Sequence, residues 1–162
     1  MRDLTTSHPK GFQIYKRLKW LNELPRRDAE SLFLGCCEST EWARIVTASR
    51  PYRMVDDLFR SAENEWFALS EAGWIEAFGE YEDERSAPGP SDNRCDELKE
   101  AQNLYREKFG FIFIVSPTGR TADEMLAICR ARLRNSVETE LRIAAHEKWK
   151  IIEVRLTNTL EI

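Results

Sequence analysis

Metal binding and proton transfer in proteins depend most often on cysteine and histidine, and this sequence contains few of either. The four cysteines are Cys36, Cys37, Cys95 and Cys129, and the two histidines are His8 and His146. No two cysteines stand at the paired spacing of a zinc site, and the histidines lie near opposite ends of the chain. We therefore predict no metal site, reduced cysteines in or beside the core, and no chemistry at either histidine.

Two further features could carry acid, base or anion-binding chemistry. Tyr81 lies within an acidic run at 80–84, and Arg155 lies beside an apolar helical stripe near the end of the chain. A charged run usually forms a solvated loop. From spacing alone, Arg155 is expected to lay its stem over the core with its head in water.

Composition restricts the classes of protein that this chain can represent. With 162 residues, 42% apolar and 32% charged, it fits one globular domain. The 28 acidic and 24 basic residues are interleaved, which disfavours nucleic acid as a partner. No apolar run reaches the roughly 20 residues of a membrane helix, and residues 1–20 lack the apolar core of a secretion signal. We predict a cytoplasmic protein that does not bind membranes.

The first third of the chain predicts an arm followed by short helices. Residues 1–20 mix basic and aromatic residues without a sustained period, and we interpret them as an extended N-terminal arm ahead of one domain at 21–162. The arm residues expected to pack are Phe12, Ile14, Tyr15 or Trp20. Asp28 and Ser39 each suit a helix N-cap, and the second of these helices should end before Arg50-Pro51.

Apolar residues at spacings of three and four predict the remaining helices. These cover 54–69, 74–78 before Gly79, 98–109 before Gly110, a helix from the Thr121–Glu124 capping box, and a long helix from Ser136. The residues predicted to face inward on the capping-box helix are Met125, Ile128, Cys129 and Leu133; on the last helix they are Leu141, Ala145, Trp149, Ile152, Leu156 and Leu160.

Two stretches do not fit a helix. Residues 79–95 hold two prolines and almost nothing apolar, and are predicted to form an exposed loop. The run at 111–115 is aromatic and β-branched, and is predicted to be extended and fully buried. The fold class is therefore all-α, a single-domain bundle of about seven helices with one short buried extended segment.

Several stretches in both halves of the chain resemble one known family in order and spacing. They are Leu-Asn-Glu-Leu-Pro at 21–25, Trp42, Arg-Pro-Tyr at 50–52, Trp-Ile-Glu-Ala-Phe at 74–78, Tyr-Arg-Glu-Lys-Phe-Gly-Phe-Ile-Phe-Ile-Val at 105–115, Arg-Leu-Arg-Asn at 132–135, Glu140, and Lys-Ile-Ile-Glu-Val-Arg-Leu at 150–156. Together they resemble the OHCU decarboxylases. These helical, often dimeric enzymes convert 2-oxo-4-hydroxy-4-carboxy-5-ureidoimidazoline to S-allantoin in urate breakdown, without a metal or organic cofactor.

The resemblance also implies which residues form the site. Arg155 stands where the family has a substrate-binding arginine, and Phe113, Ile114 and Val115 stand where the family's backbone contacts substrate. Spacing alone predicts that the Arg155 guanidinium lies in water. The resemblance instead implies that it faces an anion. The implied ligand is a small anion or ureide, with no cofactor, and a homodimer is compatible with it.

The sequence departs from the family where the family does its chemistry. Alignment from the 74–78 stretch places Tyr81-Glu82 at the family's catalytic His-Pro dipeptide. The family's following Glu-Gln pair has no counterpart, since Gln13 and Gln102 both follow residues other than Glu and the region from 81 to 105 is shorter than in the family. Tyr81 is therefore the only residue that we place at the catalytic position.

Three interpretations follow. The first is a divergent member that has lost the decarboxylation and survives as a binding or regulatory protein, or acts on a changed substrate. The second is an active decarboxylase whose acid comes from Tyr81 or from the 80–84 run, which a perturbed carboxylate near Arg155 would favour. The third is a structural partner of an active paralogue, which a filled pocket would favour.

Overall fold

A computed structural model describes residues 9–79, 93–116 and 119–162, and all the secondary structure in these ranges is helical. The eight helices are α1 (Pro9–Glu23), α2 (Arg26–Cys36), α3 (Thr40–Ala48), α4 (Val55–Ala68), α5 (Glu71–Phe78), α6 (Asn93–Phe109), α7 (Ala122–Arg132) and α8 (Val137–Leu160). The predicted all-α class is confirmed. The number of helices exceeds the prediction by one, which is α1. No described helix is long and apolar enough to cross a membrane.

The prediction of an extended arm is wrong for residues 9–20, which belong to α1. Leu18 and Leu21 are the residues of this helix that are buried, one turn apart. Phe12, Tyr15 and Trp20, three of the four residues expected to pack, are instead exposed. The two buried leucines of α1 lie on either side of residue 20, the predicted end of the arm. Residues 1–20 alone therefore show no helical period.

The chain divides into two compact units. The first contains the described residues up to Gly73 together with Ile151–Ile162, and the second is Trp74–Lys150. Trp42 is fully buried in the first unit, where its ring meets Phe33 edge-on at 5.9 Å and its indole N–H donates to the Ala62 carbonyl at 2.9 Å. Ser39 caps α3 as predicted, its hydroxyl accepting a bond from the Trp42 amide.

Arg50 joins the end of α1 to the residues that follow α3. Its guanidinium donates to the carbonyls of Leu21, Leu24 and Thr47 at 2.7, 2.9 and 3.0 Å. The Asn22 side-chain amide exchanges two hydrogen bonds with the backbone of Tyr52, at 2.8 and 2.9 Å. We call this set of contacts the Arg50 clamp. Its guanidinium supplies donors to the Leu21 and Leu24 carbonyls at the end of α1, and it adds a second donor to the Thr47 carbonyl, which also accepts from the Arg50 backbone N–H at 3.3 Å.

The second unit is built around α6, α7 and the 111–116 segment. Gly110 ends α6 with a positive φ of 81°, a conformation that glycine adopts without the strain of a side chain. Thr121 and Glu124 form the predicted capping box of α7. The buried face of α7 differs from the prediction, because Leu126, Cys129 and Arg132 are buried on it while Met125 and Ile128 are only half-buried.

The last helix agrees with its prediction. Ser136 accepts a hydrogen bond from the Thr139 amide at 3.2 Å and so caps α8. All six residues predicted to face inward on this helix are buried. Asp28, by contrast, does not cap α2; it lies in the first turn, and the N-cap position is Pro25.

Candidate functional site

The residue at the predicted catalytic position lies outside the described residues. These residues stop at Gly79, directly after α5, and resume at Asn93. Tyr81 and the acidic run at 80–84 both fall in this gap, and His8 precedes the first described residue. Their assigned roles therefore stay predictions from the sequence.

Arg155 is half-buried in the first unit and engages neighbouring groups there. One guanidinium nitrogen, Nη1, donates to the Cys36 carbonyl at 3.3 Å and lies 3.8 Å from Oε1 of Glu38. The side chains of Arg155 and Glu38 are 36% and 53% exposed, so this is a solvent-screened ion pair worth little to stability. No contact in the described residues engages the Nε and Nη2 donors of Arg155, which leaves part of its planar fork for an anion.

The 111–116 segment has no regular secondary structure, and the prediction that 111–115 is fully buried is wrong. Phe111 and Ile114 are buried, whereas Ile112, Phe113 and Val115 are half-buried. The Ile114 carbonyl accepts a hydrogen bond from Nη1 of Arg132 at 2.5 Å. Because that carbonyl is occupied and the Ile114 side chain is buried, the backbone N–H is the group that Ile114 can offer a ligand.

The neighbours of Ile114 keep free backbone donors. In the described ranges, no protein acceptor bonds to the backbone N–H groups of Phe113 or Val115. Ser116 is different, since its N–H donates to the Glu147 carboxylate at 2.9 Å. The segment is thus held at the Ile114 carbonyl and at the Ser116 N–H. In the described ranges, the N–H groups of all three residues from 113 to 115 lack a protein acceptor. Unpaired backbone donors of this kind are suited to binding an anion or a carbonyl.

A buried polar network holds this segment, and no pattern in the sequence predicts it. Arg132 forms an ion pair with the fully buried carboxylate of Glu140, which also accepts from the Tyr105 hydroxyl at 2.6 Å and from the Asn135 side chain at 3.0 Å. The Arg132 guanidinium also lies over the Phe113 ring, 4.7 Å from its centre. We call these contacts the Arg132 network. It fixes both the backbone and one side chain of the predicted binding segment.

The titratable groups of the second unit that face this network are poorly suited to donate protons. Burial, and then the hydrogen bond to Glu140, raise the pKa of Tyr105 far above its usual value. Burial alone would raise the pKa of Glu147, but hydrogen bonds from Ser116 and Lys150, with the charge of Arg120, outweigh it and lower that pKa. Tyr105 therefore keeps its proton and Glu147 stays ionised at neutral pH.

Cys36, Cys37 and Cys129 are buried and form no disulfide with each other, as predicted. Burial raises the pKa of Cys129 to about 11 and also raises that of Cys36, where a Thr159 hydrogen bond and the Arg155 charge oppose it only in part. Thiols with raised pKa values are weak nucleophiles at neutral pH. In the ranges that the structure describes, no three cysteine, histidine or acidic side chains come close enough together to hold a metal ion.

Comparison with known proteins identifies the family. The OHCU decarboxylase family model matches this sequence in two segments, residues 22–84 and 80–157. This chain belongs to the OHCU decarboxylase family. The family prediction is therefore confirmed.

Two curated proteins are similar to this chain in sequence. The chain is 34% identical to the "Uric acid degradation bifunctional protein TTL" of Arabidopsis thaliana over 143 residues, and 28% identical to the "Uric acid degradation bifunctional protein" of Bacillus sp. (strain TB-90) over 157 residues. The matches cover 75% and 86% of this chain but 44% and 31% of those proteins. The chain thus spans less than half the length of the curated relatives that it matches.

Solved structures agree with the fold. A crystal structure of OHCU decarboxylase in the presence of (S)-allantoin superposes with a TM-score of 0.72 at 34% identity, covering 80% of this chain and 97% of that one. A crystal structure of (S)-allantoin synthase gives a TM-score of 0.71 at 21% identity, covering 88% of this chain and 53% of that one. At that lower identity, the second likeness supports the fold alone.

The stretches that reveal the family turn out to hold the scaffold together. Residues from the 21–25 and 50–52 stretches form the Arg50 clamp in the first unit. Residues from the 105–115 and 132–135 stretches, with Glu140, form the Arg132 network in the second. Several of the stretches by which the family is recognised therefore contribute to the fold.

Proposed function

We propose that this protein is a divergent member of its family that has lost the decarboxylation of the ureidoimidazoline and acts by binding a small anion or ureide, in a regulatory role or on a changed substrate. The observation that carries the proposal is Tyr81-Glu82 at the position of the family's His-Pro dipeptide. No Glu-Gln pair occurs anywhere in the sequence to replace the missing carboxylate and amide.

The missing residues matter because the reaction needs a proton. Loss of carbon dioxide leaves electron density on a carbon that must be protonated from one face, and a positioned acid or base typically contributes about 10² to 10⁴ in rate. Histidine suits this step because its pKa lies near physiological pH. A tyrosine with an ordinary pKa near 10 is a poor substitute.

The way in which the family model matches supports a shortened region. The two matched segments, 22–84 and 80–157, meet within the stretch where the sequence lacks the helix that carries the Glu-Gln pair. An interrupted match in this stretch agrees with the proposal that a supporting element is lost together with the histidine.

The alternative of a relocated acid finds little support in the described residues. Glu38 is the carboxylate paired with Arg155, and it is more exposed than buried. Glu147 has a lowered pKa, so it is a worse proton donor than an ordinary glutamate. A working general acid would need the opposite shift.

Anion binding rests on two sets of free donors, one in each unit. Arg155 offers the part of its guanidinium that Cys36 and Glu38 leave unengaged. The 111–116 segment offers the N–H groups of Phe113 and Val115. A carboxylate or a ureide carbonyl is the complementary chemistry for both sets.

Arg155→Ala should abolish the weak binding of allantoin and of a small dicarboxylate. We expect the protein itself to bind them in the millimolar range, which corresponds to about 4 kcal/mol. Removing the guanidinium removes charge-assisted hydrogen bonds of roughly 1.5 to 3 kcal/mol each. Chemical shift changes in an NMR titration measure the effect, and Arg44→Ala, an exposed arginine of α3, serves as the matched control. Equal shifts in the wild type and in Arg155→Ala, or none in either, would contradict the proposal.

Tyr81→His should not restore decarboxylation. A histidine needs a carboxylate partner that orients its ring and sets its protonation state, and the proposal holds that the helix bearing this partner is gone. Steady-state assays of the variant should therefore match the spontaneous reaction. Turnover near that of an ordinary enzyme after this single change would show that the supporting helix is not required.

A further inference from the structure

A cavity lies between the ends of α5 and α6 in the second unit and is separate from the donors considered so far. Its volume is about 460 Å³, within the range of small-molecule sites. Its lining comes from three elements: Ile75, Glu76 and Gly79 at the end of α5; Arg106 and Gly110 at the end of α6; and Phe111 and Ile112 of the 111–116 segment. Arg155, Phe113 and Val115 do not line it.

Of the residues that the structure describes, one cation and one carboxylate line this cavity, on different helices. Arg106 is carried by α6 and Glu76 by α5. Both side chains are exposed, and neither forms an ion pair or a side-chain hydrogen bond within the part of the chain that the structure describes. The Arg106 guanidinium is thus available to an anionic group of a ligand, and the Glu76 carboxylate to a hydrogen-bond donor or a cation.

The apolar side of the cavity is rigidly placed. Phe111 is buried, and its ring lies 5.5 Å from Phe78 and 5.9 Å edge-on from Tyr105. Ile75 also lines the cavity and is 44% exposed. A ligand with a short apolar body would cover this isoleucine and gain from its burial.

We propose that this cavity binds a small carboxylate that also carries a ureido, amide or ammonium donor. The carboxylate pairs with the Arg106 guanidinium, whose planar fork suits it, and the donor group pairs with Glu76. The body of the ligand lies against Ile75 and Phe111. Since neither Arg155 nor Phe113 nor Val115 lines the cavity, this site is additional to the one proposed above.

The test uses three probes on the full-length protein, followed by NMR at the amides of Gly79, Gly110 and Ile112. N-carbamoylglycine carries both a carboxylate and a ureido group, propionate carries the carboxylate alone, and N-methylurea carries the ureido group alone. N-carbamoylglycine should bind at least about tenfold more tightly than either single-group probe, since one charge-assisted hydrogen bond is worth a factor of ten or more. Equal affinity of the three probes, or no shift at these amides, would overturn the proposal.

Variants then assign the roles of the two charges. Arg106→Gln should weaken N-carbamoylglycine binding about tenfold or more, and Arg106→Lys should recover part of the loss, because a lysine restores the charge without the fork. Lys99→Gln removes another exposed cation from α6 and should have no effect. Wild-type affinity in Arg106→Gln would refute the assignment.

The same titrations separate this site from the one that involves Arg155. Arg155→Ala should leave the shifts at Gly79, Gly110 and Ile112 unchanged, and Arg106→Gln should leave allantoin binding unchanged. If allantoin fails to bind the wild type while N-carbamoylglycine binds at the cavity, only the proposed function fails. Loss of cavity binding in Arg155→Ala would contradict a separate site.

Discussion

Arg132→Met should lower the free energy of unfolding by about 3 to 5 kcal/mol, the usual result of removing one partner of a buried ion pair. The change leaves the Glu140 carboxylate, which is 0% exposed, without its cation. It also removes the donor to the Ile114 carbonyl. Methionine has a similar volume, so the loss reflects charge and hydrogen bonding more than a cavity. Urea and thermal unfolding followed by circular dichroism measure it.

Two comparisons make the Arg132 result specific. Arg134→Met removes an exposed arginine two residues away and should change stability by no more than about 0.5 kcal/mol. The double variant Arg132→Met with Glu140→Leu should be more stable than Arg132→Met alone, because no buried charge is then left unpaired. A loss below about 1 kcal/mol in Arg132→Met would show that the Arg132 network does not contribute as described.

Arg50→Met should be the second large effect, with a loss of roughly 2 to 4 kcal/mol, because Arg50 forms three hydrogen bonds and each typically contributes about 0.5 to 1.5 kcal/mol net. Two of the three carbonyls, those of Leu21 and Leu24, lie at the C-terminal end of α1 and just beyond it, where intrahelical donors run out. The measurement is the same unfolding experiment.

Two further variants, Arg50→Lys and Arg53→Met, test whether the effect of Arg50→Met comes from the guanidinium. Lysine has three donors on one point charge and cannot match the guanidinium fork, so it should recover only part of the loss. Arg53 is exposed and next to the clamp in sequence, and its replacement should have little effect. If Arg50→Met and Arg53→Met were equally stable, the three carbonyl bonds would have to contribute almost nothing.

The sequence predicted those elements whose signals are local. The α4 stripe, the end of α5 at Gly79, the end of α6 at Gly110 and the capping box of α7 all follow from residues within one or two turns of each other, and the structure confirms each of them. The N-terminal helix was missed because its buried residues straddle the boundary that was drawn at residue 20.

The Arg132 network could not be predicted from patterning. A charged residue is expected at the surface, so apolar spacing predicts that Leu133, and not Arg132, faces inward on α7. Its burial depends on Glu140 of α8, on Tyr105 of α6 and on the Ile114 carbonyl, which are brought together only by the folded chain. The signal that could have found it is the family resemblance itself, in which Tyr105, Arg132, Asn135 and Glu140 occur together.

The candidate site likewise contains groups that the sequence predicts and groups that only the folded chain brings together. The residues of the Arg50 clamp and of the Arg132 network lie within or beside stretches that match the family, and the structure shows which groups they contact. Arg155 and the 111–116 segment were found by resemblance, and the structure adds which of their groups are already occupied. The cavity beside Arg106 had no sequence signal, because its lining comes from three separate elements.

The loss of decarboxylation is tested most directly with freshly generated 2-oxo-4-hydroxy-4-carboxy-5-ureidoimidazoline, by following its decay and the handedness of the allantoin formed. An OHCU decarboxylase that retains the His-Pro dipeptide and the Glu-Gln pair serves as the positive control. With this protein, the decay should match the spontaneous rate and the allantoin should be racemic. Accelerated decay with an excess of S-allantoin, at protein concentrations far below that of the substrate, would contradict the proposal and would mean that a proton donor other than the family histidine operates in this chain.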